Sequence, residues 1–583
     1  MINKFKQFLF LAIFLSGFLM CQNAQADFTC TVGTTETTFA ACVANSSVIA
    51  ETGVVTISIP AGSYALANID MSSWHSSSVV ITGAGKSLTT GTGAPTWIFR
   101  AVPFELKDFT IGELLTITGS PVNFKIHDII STNEILIRWT GTGGEHPHGV
   151  VYNNDLYKVR VDPNAELERS NAIMHVVPPL GVIDENIGTV YVEGNNFSHA
   201  PQGYFTDNYN GGRLIFRYNT LTSDADWAVL GSHGINNIGA SFMRGLNLYE
   251  IYNNEYTNTA TQVTTWVRLR GGSGIIYNNK ITSQTQRLFV DPYIDRTNYN
   301  ADPIYPGIGG WCNGGSVGWD GNETIDPSYT EIKTRYGDTH FTGTHDGSND
   351  SATLTDSTAA WTVNSLATST GIVGTTVYNV SDSSSCAVAS NTAIGVTCTL
   401  TGGTDNNWDS GDTYRISDGY PCRDQLGRVY DATQWDDSPL GSYTQDLRPL
   451  YVWGNSENGS SKNTVNPQNP TYLDTRIINN RDYYTAQGAS CVAGGSCTTG
   501  VGSGTSLPTT CTAGVGFWRS DENKLYKCTA TDTWTEYYSP AICPHPLTEL
   551  TGSCDEGVAG TGGYNVASGD TIAPASPTGL AVT

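Results

Sequence analysis

Charge is scarce in this chain of 583 residues: only 14% of positions are Asp, Glu, Lys or Arg, and 30 basic residues face 54 acidic ones. A basic surface is therefore missing, which excludes nucleic acid as a partner, because phosphate binding needs positive charge. Stretches with helical periodicity are few, which excludes a helical bundle. Past the N-terminus no run is apolar enough to span a bilayer, so no membrane span is expected. There is no nucleophile elbow and no dinucleotide or phosphate loop. Zinc-ligand spacing with nearby histidines is absent too. No cofactor is expected, and Ca2+ has no motif to support it.

Residues 1–26 read as an export signal. Lys4 and Lys6 give a positive start, residues 8–20 are apolar, and Ala24-Gln25-Ala26 is a small-residue cleavage site. A lipoprotein reading through Cys21 is weaker, since Met20 is a poor residue before a lipidated cysteine. Cleavage leaves 28 basic and 54 acidic residues, a net charge of −26, and twelve cysteines. An even number in an exported protein points to disulfides and to a secreted or cell-surface location. The local pairs are Cys30–Cys42, Cys386–Cys398, Cys491–Cys497, Cys511–Cys528 and Cys543–Cys554, which leaves Cys312 with Cys422. Sequence does not fix connectivity, and Cys491 and Cys497 can also cross-pair.

What is abundant is glycine, asparagine, threonine and short β-rich runs, which argues for many short strands. One pattern recurs: apolar, any, any, Asn, any, apolar. It appears as Val151-Tyr-Asn-Asn154-Asp-Leu156, Val192-Glu-Gly-Asn195-Asn-Phe197 and Phe216-Arg-Tyr-Asn219-Thr-Leu221. It returns as Ile251-Tyr-Asn-Asn254-Glu-Tyr256 and Ile276-Tyr-Asn-Asn279-Lys-Ile281. The asparagines stand 41, 24, 35 and 25 residues apart. A step near 24 is one turn of a β-solenoid with three short strands, and the longer steps need an extra turn or a long loop. Inward asparagines would stack at about the 4.8 Å strand spacing, each amide donating and accepting along the column. The expected fold is all-β: a right-handed parallel β-helix with an inserted small β-module and a disulfide-rich C-terminal cap. Asn455 and Asn480, 25 apart, extend the ladder beyond the insert.

With this repeat, and with the opening runs Val54-Val-Thr-Ile-Ser-Ile-Pro-Ala-Gly-Ser-Tyr64 and Val79-Val-Ile-Thr-Gly-Ala-Gly85, the chain resembles the pectin-lyase-like right-handed parallel β-helix superfamily. The resemblance covers residues 27–312 and resumes near 418. The expected order is signal peptide 1–26, β-helix 27–337, inserted module 338–417, β-helix 418–500 and Cys-rich cap 501–564. Residues 565–583 would be a linker and the start of a truncated fibronectin type III-like domain. The cap would cover the last turn, with carbohydrate binding through exposed aromatics as the sharper alternative. No Asp cluster matches the calcium site of pectate lyases.

If Val192, Phe216, Ile251 and Ile276 face inward, their neighbours face out. The outward columns are then Tyr152, Glu193, Arg217, Tyr252, Tyr277 and Tyr191, Ile215, Glu250, Ile275. Arg213, Arg268 and Arg270 alternate outward, and a long excursion carries His233 and Arg244. A uronate β-elimination needs a base and a cation to neutralise the carboxylate. His233, Arg244, Glu250 and Glu193 are the catalytic candidates, and Arg213, Arg217, Arg270, Tyr252 and Tyr277 the substrate-binding ones. Hydrolysis would need two carboxylates, for which Glu193 and Glu250 stand first. Asp184, Asp207, Asp224 and Asp226 are further acids. The competing reading is that Glu193 and Arg217 form a cross-strand salt bridge. The expected function is a secreted, monomeric polysaccharide-active protein taking an anionic polymer, a lyase before a glycoside hydrolase. The alternative is a non-catalytic adhesion or carbohydrate-binding structural protein.

Overall fold

The computed structural model describes residues 27–99, 102–119, 121–138, 148–162, 189–198, 205–208, 213–223, 230–232, 236–238, 241–243, 248–258, 265–269, 271–284, 288–292, 341–361, 376–417, 426–430, 445–466, 479–548, 551–555 and 558–567. Residues 1–26, read above as an export signal, Cys312 and Cys422, and residues 568–583 of the stretch read as a fibronectin-like start lie outside them.

The chain is all-β, and its largest sheet has 21 strands. Its pairings are overwhelmingly parallel. Val54–Ile59 pairs with Ser78–Gly83, and Thr189–Glu193 pairs with Arg213–Arg217. Leu248–Tyr252 follows, then Ser273–Tyr277. The register places Val151, Val192, Phe216, Ile251, Ile276 and Val452 in one column. All six are buried in one continuous core. A second column runs beside it, pairing Phe197 with Leu221, then Tyr256 and Ile281. A third row of parallel strands closes the core from Ile69–Asp70 to Lys158–Asp162, and another from Thr206–Asn208 to Leu288–Pro292.

The asparagines make the bend between the first two columns. Nδ2 of Asn154 donates to Oδ1 of Asn195 (2.9 Å), and Asn195 to Asn219 (3.1 Å). The chain of bonds continues to Asn254 (3.1 Å), Asn279 (2.9 Å) and Asn455 (2.9 Å). Each Oδ1 also accepts the backbone N–H of the rung before it, as Asn219 N to Asn254 Oδ1 at 3.0 Å. Each Nδ2 also reaches a strand carbonyl of the preceding turn. The ladder thus satisfies backbone groups that a buried bend would otherwise strand. The residue before each asparagine adopts positive φ: Asn153, Gly194, Tyr218, Asn253, Asn278 and Gly454. Glycine and asparagine tolerate this conformation best, so Tyr218 is the strained exception.

Two expectations are sharpened. The long steps of 41 and 35 residues add no turn to the stack, because Val151 pairs directly with Val192 and Phe216 with Ile251. The ladder ends on Asn463 and not on Asn480. A hairpin, Ser456–Glu457 with Ser460–Ser461, returns the chain so that Asn463 accepts from Asn455 at 3.0 Å, only 8 residues on. Asn480 is exposed and accepts from Gly500 N instead.

Residues 341–361 and 376–417 stand outside the stack, since Ile276 pairs straight onto Val452. They form two antiparallel sheets around Leu354, Trp361, Val377, Trp408, Tyr414 and Ile416. Disulfides join Cys30–Cys42, Cys386–Cys398, Cys491–Cys497, Cys511–Cys528 and Cys543–Cys554. At the N-terminal end the short helices Phe39–Ala44 and Ser46–Ala50 bury Phe39, Cys42 and Val48 against the first strands. Among the described residues no helix is long and apolar enough to cross a membrane.

Candidate functional site

The two outward columns exist in the expected register. Tyr152, Glu193, Arg217, Tyr252, Tyr277 and Trp453 stand one above another. Tyr191, Ile215, Glu250, Ile275 and Tyr451 form the adjacent column. They are not open to solvent. Glu193, Arg217, Glu250, Tyr252 and Tyr277 have 0% exposure, and Arg213 has 3%. The reason is the C-terminal unit, which lies on this face. Trp518 packs on Tyr277 and Trp453 (5.0 and 5.2 Å between ring centres), and Val501, Val515, Leu525, Tyr538 and Tyr564 complete the same cluster. The open groove expected here is thus corrected to an internal seam. Its composition carried the signal: Tyr, Ile and Trp at outward positions need an apolar cover.

Within that aromatic seam lies a buried polar knot. Arg217 meets Glu193 Oε2 through Nε (2.7 Å) and Nη2 (2.6 Å). Its Nη1 donates to the Tyr252 hydroxyl (2.7 Å) and to the Ala541 carbonyl (2.6 Å), and Nη2 to the Ile542 carbonyl (2.6 Å). The other oxygen of Glu193 accepts from His545 N (2.7 Å) and the Tyr564 hydroxyl (2.8 Å). Glu250 accepts from the Tyr538 hydroxyl and from Ala541 N (3.3 Å). Burial works against the charge on Arg217, but Glu193 and Tyr252 hold its pKa above the usual value. Burial, then the carboxylates, push the hydroxyls of Tyr538 and Tyr564 far up, so both stay protonated donors. Burial lowers His545 to about 4, with Arg217 and His148 adding to it against Glu193. It is therefore neutral near pH 7, and its Nδ1 accepts from Leu547 N (3.1 Å). The cross-strand salt-bridge reading of Glu193 and Arg217 describes what these two residues do here.

The remaining candidates separate. His233, Arg244 and Arg270 lie outside the described residues. Arg268 is on another sheet, bonded to Asp291 at 2.9 Å. Of the further acids, Asp184, Asp224 and Asp226 also lie outside the described residues.

Higher on the same columns, beyond the cover, is a group that sequence reasoning missed. Glu105 pairs across with Lys125, and Lys107 with His127, which sits beside Tyr152. Glu105 takes Lys107 (3.0 Å), Lys125 (3.3 Å) and His127 Nε2 (2.8 Å). His127 Nδ1 meets Asp128 Oδ2 at 2.7 Å, and its ring stacks on Tyr152 at 4.7 Å. Burial opposes the charge on His127, yet Asp128 and Glu105 raise its pKa. Glu105 is held well below the usual carboxylate range, against the opposing effect of burial, by His127 and Lys107. Lys107 and Asp128 keep about a third of their side-chain surface in water, 29% and 31%. No repeat pattern flags these residues, because at this turn Phe109 and Ile129 stand where the ladder asparagine would be.

No group of His, Cys, Asp and Glu among the described residues could hold a metal ion. The cap's aromatics are mostly spent on packing: Phe517, Trp518 and Tyr538 are buried, and Trp534 donates to Pro508 O. No known protein family, curated protein or solved structure matches this chain.

Proposed function

We propose that this is an exported right-handed parallel β-helix protein of the pectin-lyase-like kind that binds an acidic polysaccharide without cleaving it. One observation carries this reading: the Glu193–Arg217–Glu250 set, which has the chemistry for elimination or hydrolysis, is consumed in holding the C-terminal unit. A base or a charge-neutralising arginine must reach substrate within hydrogen-bond distance, and these atoms are sealed. The uncovered part of the flank supports binding instead. Lys107 and Lys125 stand there with His127, whose pKa is raised, among Glu105, Asp108 and Asp128, and these cations offer an anion direct partners on a chain of net charge −24. Parallel strands repeat this surface at about 4.8 Å per turn, suiting an extended polymer. The disulfides support an oxidising, extracellular setting.

The test is a panel of acidic and neutral polysaccharides offered to the full chain. The expected result is salt-sensitive binding of acidic polymers, weakened in Lys107→Gln and Lys125→Gln, with no ultraviolet-absorbing unsaturated product and no new reducing ends. Appearance of either product would restore the uronate-lyase or hydrolase reading and remove this one.

A further inference from the structure

In the open cluster, His127 is the member whose charge changes near neutral pH. It is 8% exposed, and both ring nitrogens meet carboxylates: Nδ1 with Asp128 Oδ2 at 2.7 Å and Nε2 with Glu105 Oε1 at 2.8 Å. A neutral imidazole has one N–H and one lone pair, so only the doubly protonated ring donates to both. Stacking on Tyr152, with 15° between the planes, fixes how the ring lies. Asp128 reaches its neighbour's ring because its φ of 54° turns the strand there, and Asn153 Nδ2 holds its other oxygen at 2.7 Å. Glu105 is the hub. Its Oε1 takes both His127 and Lys107 (3.0 Å), and its Oε2 takes Lys125 (3.3 Å). His127 therefore competes with Lys107 for one oxygen. The charged and titratable groups around the ring are Glu105, Lys107 and Asp108 from Phe104–Ile111, Lys125 and Asp128 from its own strand, and Tyr152 from Gly149–Tyr152. Beyond Tyr152 in the same column stand Glu193 and Arg217.

We propose that protonation of His127 gates the acidic-polymer site: the imidazolium occupies Glu105 Oε1 and leaves Lys107 to an anionic group of the polymer, and loss of the Nε2 proton returns that oxygen to Lys107. This deepens the saccharide-binding reading above and rests on it. Nε2 is the nitrogen that gives up its proton, because Glu105 keeps two lysines when that bond is lost. Asp128 would keep Asn153 alone among the described residues. The lone pair then faces a carboxylate oxygen, the two repel, and Glu105 turns to the lysines. His127 is thus a positioning residue that acts through Glu105. Burial opposes its charge, yet Asp128 and Glu105 raise its pKa. The site is open below that raised value and closes as pH rises through it.

The test uses the full chain and a dextran sulfate oligosaccharide, whose own charge is constant from pH 5 to 9, titrated by calorimetry across that range. Affinity is expected to fall about tenfold from the acid to the alkaline end, the effect of one unit charge a few ångströms away under partial solvent screening. His127→Gln should flatten the profile at the alkaline level. Lys107→Gln should lose most of the step, whereas Lys125→Gln should weaken binding at every pH and keep the step. A second readout needs no variant to bind. By reciprocity, saturating polymer should raise the His127 pKa by about one unit, followed by NMR of the histidine ring protons, with the His127 signal identified by its loss in His127→Gln. A purely structural histidine would show no such rise. Binding that is independent of pH, or an unmoved His127 titration in the bound chain, overturns the gate and leaves the saccharide reading standing. If neither dextran sulfate nor oligogalacturonate binds at any pH, both fall.

Discussion

Two stretches of one flank, built from the same strand columns, have opposite fates. From Tyr152 to Trp453 the outward side chains are sealed under the C-terminal unit, with Glu193, Arg217 and Glu250 at 0% exposure. One and two turns further towards the N-terminus, Lys125 and Asp128, then Glu105 and Lys107, keep 16–31% of their side-chain surface in water. Both stretches hold carboxylates bridged to cations, so charge content does not separate them. Their neighbours do. The covered stretch carries Ile215, Ile275, Tyr277 and Trp453 between its charges, whereas the open one carries Thr82 and Val80. Apolar surface at about 25 cal/mol per Å² draws the cover down, and the polar groups there must then find protein partners.

The largest expected effect breaks the sealed pair. Glu193→Ala leaves the Arg217 guanidinium buried without its carboxylate and should destabilise the protein by about 3–5 kcal/mol in chemical denaturation. The paired replacement Glu193→Leu with Arg217→Met should recover most of that loss, because it leaves no stranded charge. Equal losses in the single and double variants would show that the knot does not behave as a buried ion pair. Next comes Gly194→Ala. Gly194 has φ 64°, and an added Cβ would meet the Tyr564 ring at 2.3 Å, so a loss of about 2–3 kcal/mol and a loosened cap are expected. Retention of full stability would mean that the cap tolerates displacement at this point.

The two regions should also respond to pH with opposite signs. His545 is depressed to about 4 by burial. Its contribution is present above the unfolded value of about 6.5 and is lost as pH falls towards 4, at up to about 1.4 kcal/mol per pH unit. His127 is raised. Its contribution is present below about 6.5 and is lost as pH rises through its folded value. Stability curves of His545→Gln and His127→Gln, each subtracted from the parent, should therefore slope in opposite directions, and parallel slopes would contradict the assigned environments. The smallest effect belongs to the open cluster. Lys107→Gln should change stability by less than about 1 kcal/mol, and less in high salt, since partly exposed pairs are weak. A larger loss there would make that cluster a structural element like the covered one.

Much of the fold was legible because its signal is repeated. The apolar positions three before and two after each asparagine need only be read in order, and the bond from Asn195 to Asn219 follows from their spacing. The last rung was misplaced, because Asn463 arrives through a hairpin of irregular spacing that no period announces. The site was legible only in part. Alternation identified Glu193, Arg217, Tyr252 and Tyr277 as one outward column, and that column exists. Alternation cannot tell water from a distant part of the same chain, so nothing in the local pattern ties Tyr538, His545 and Tyr564 to the column that they seal.

The sequence by itself determined the strand period and the asparagine stack and pointed to the five local disulfides, because each depends on neighbours a short way along the chain or one turn away. Only the tertiary structure decided which outward side chains meet solvent. Glu193 and Tyr564 are 371 residues apart and share a hydrogen bond. Contacts at that separation arise from shape and apolar area matching across the folded surface, and no local pattern records them.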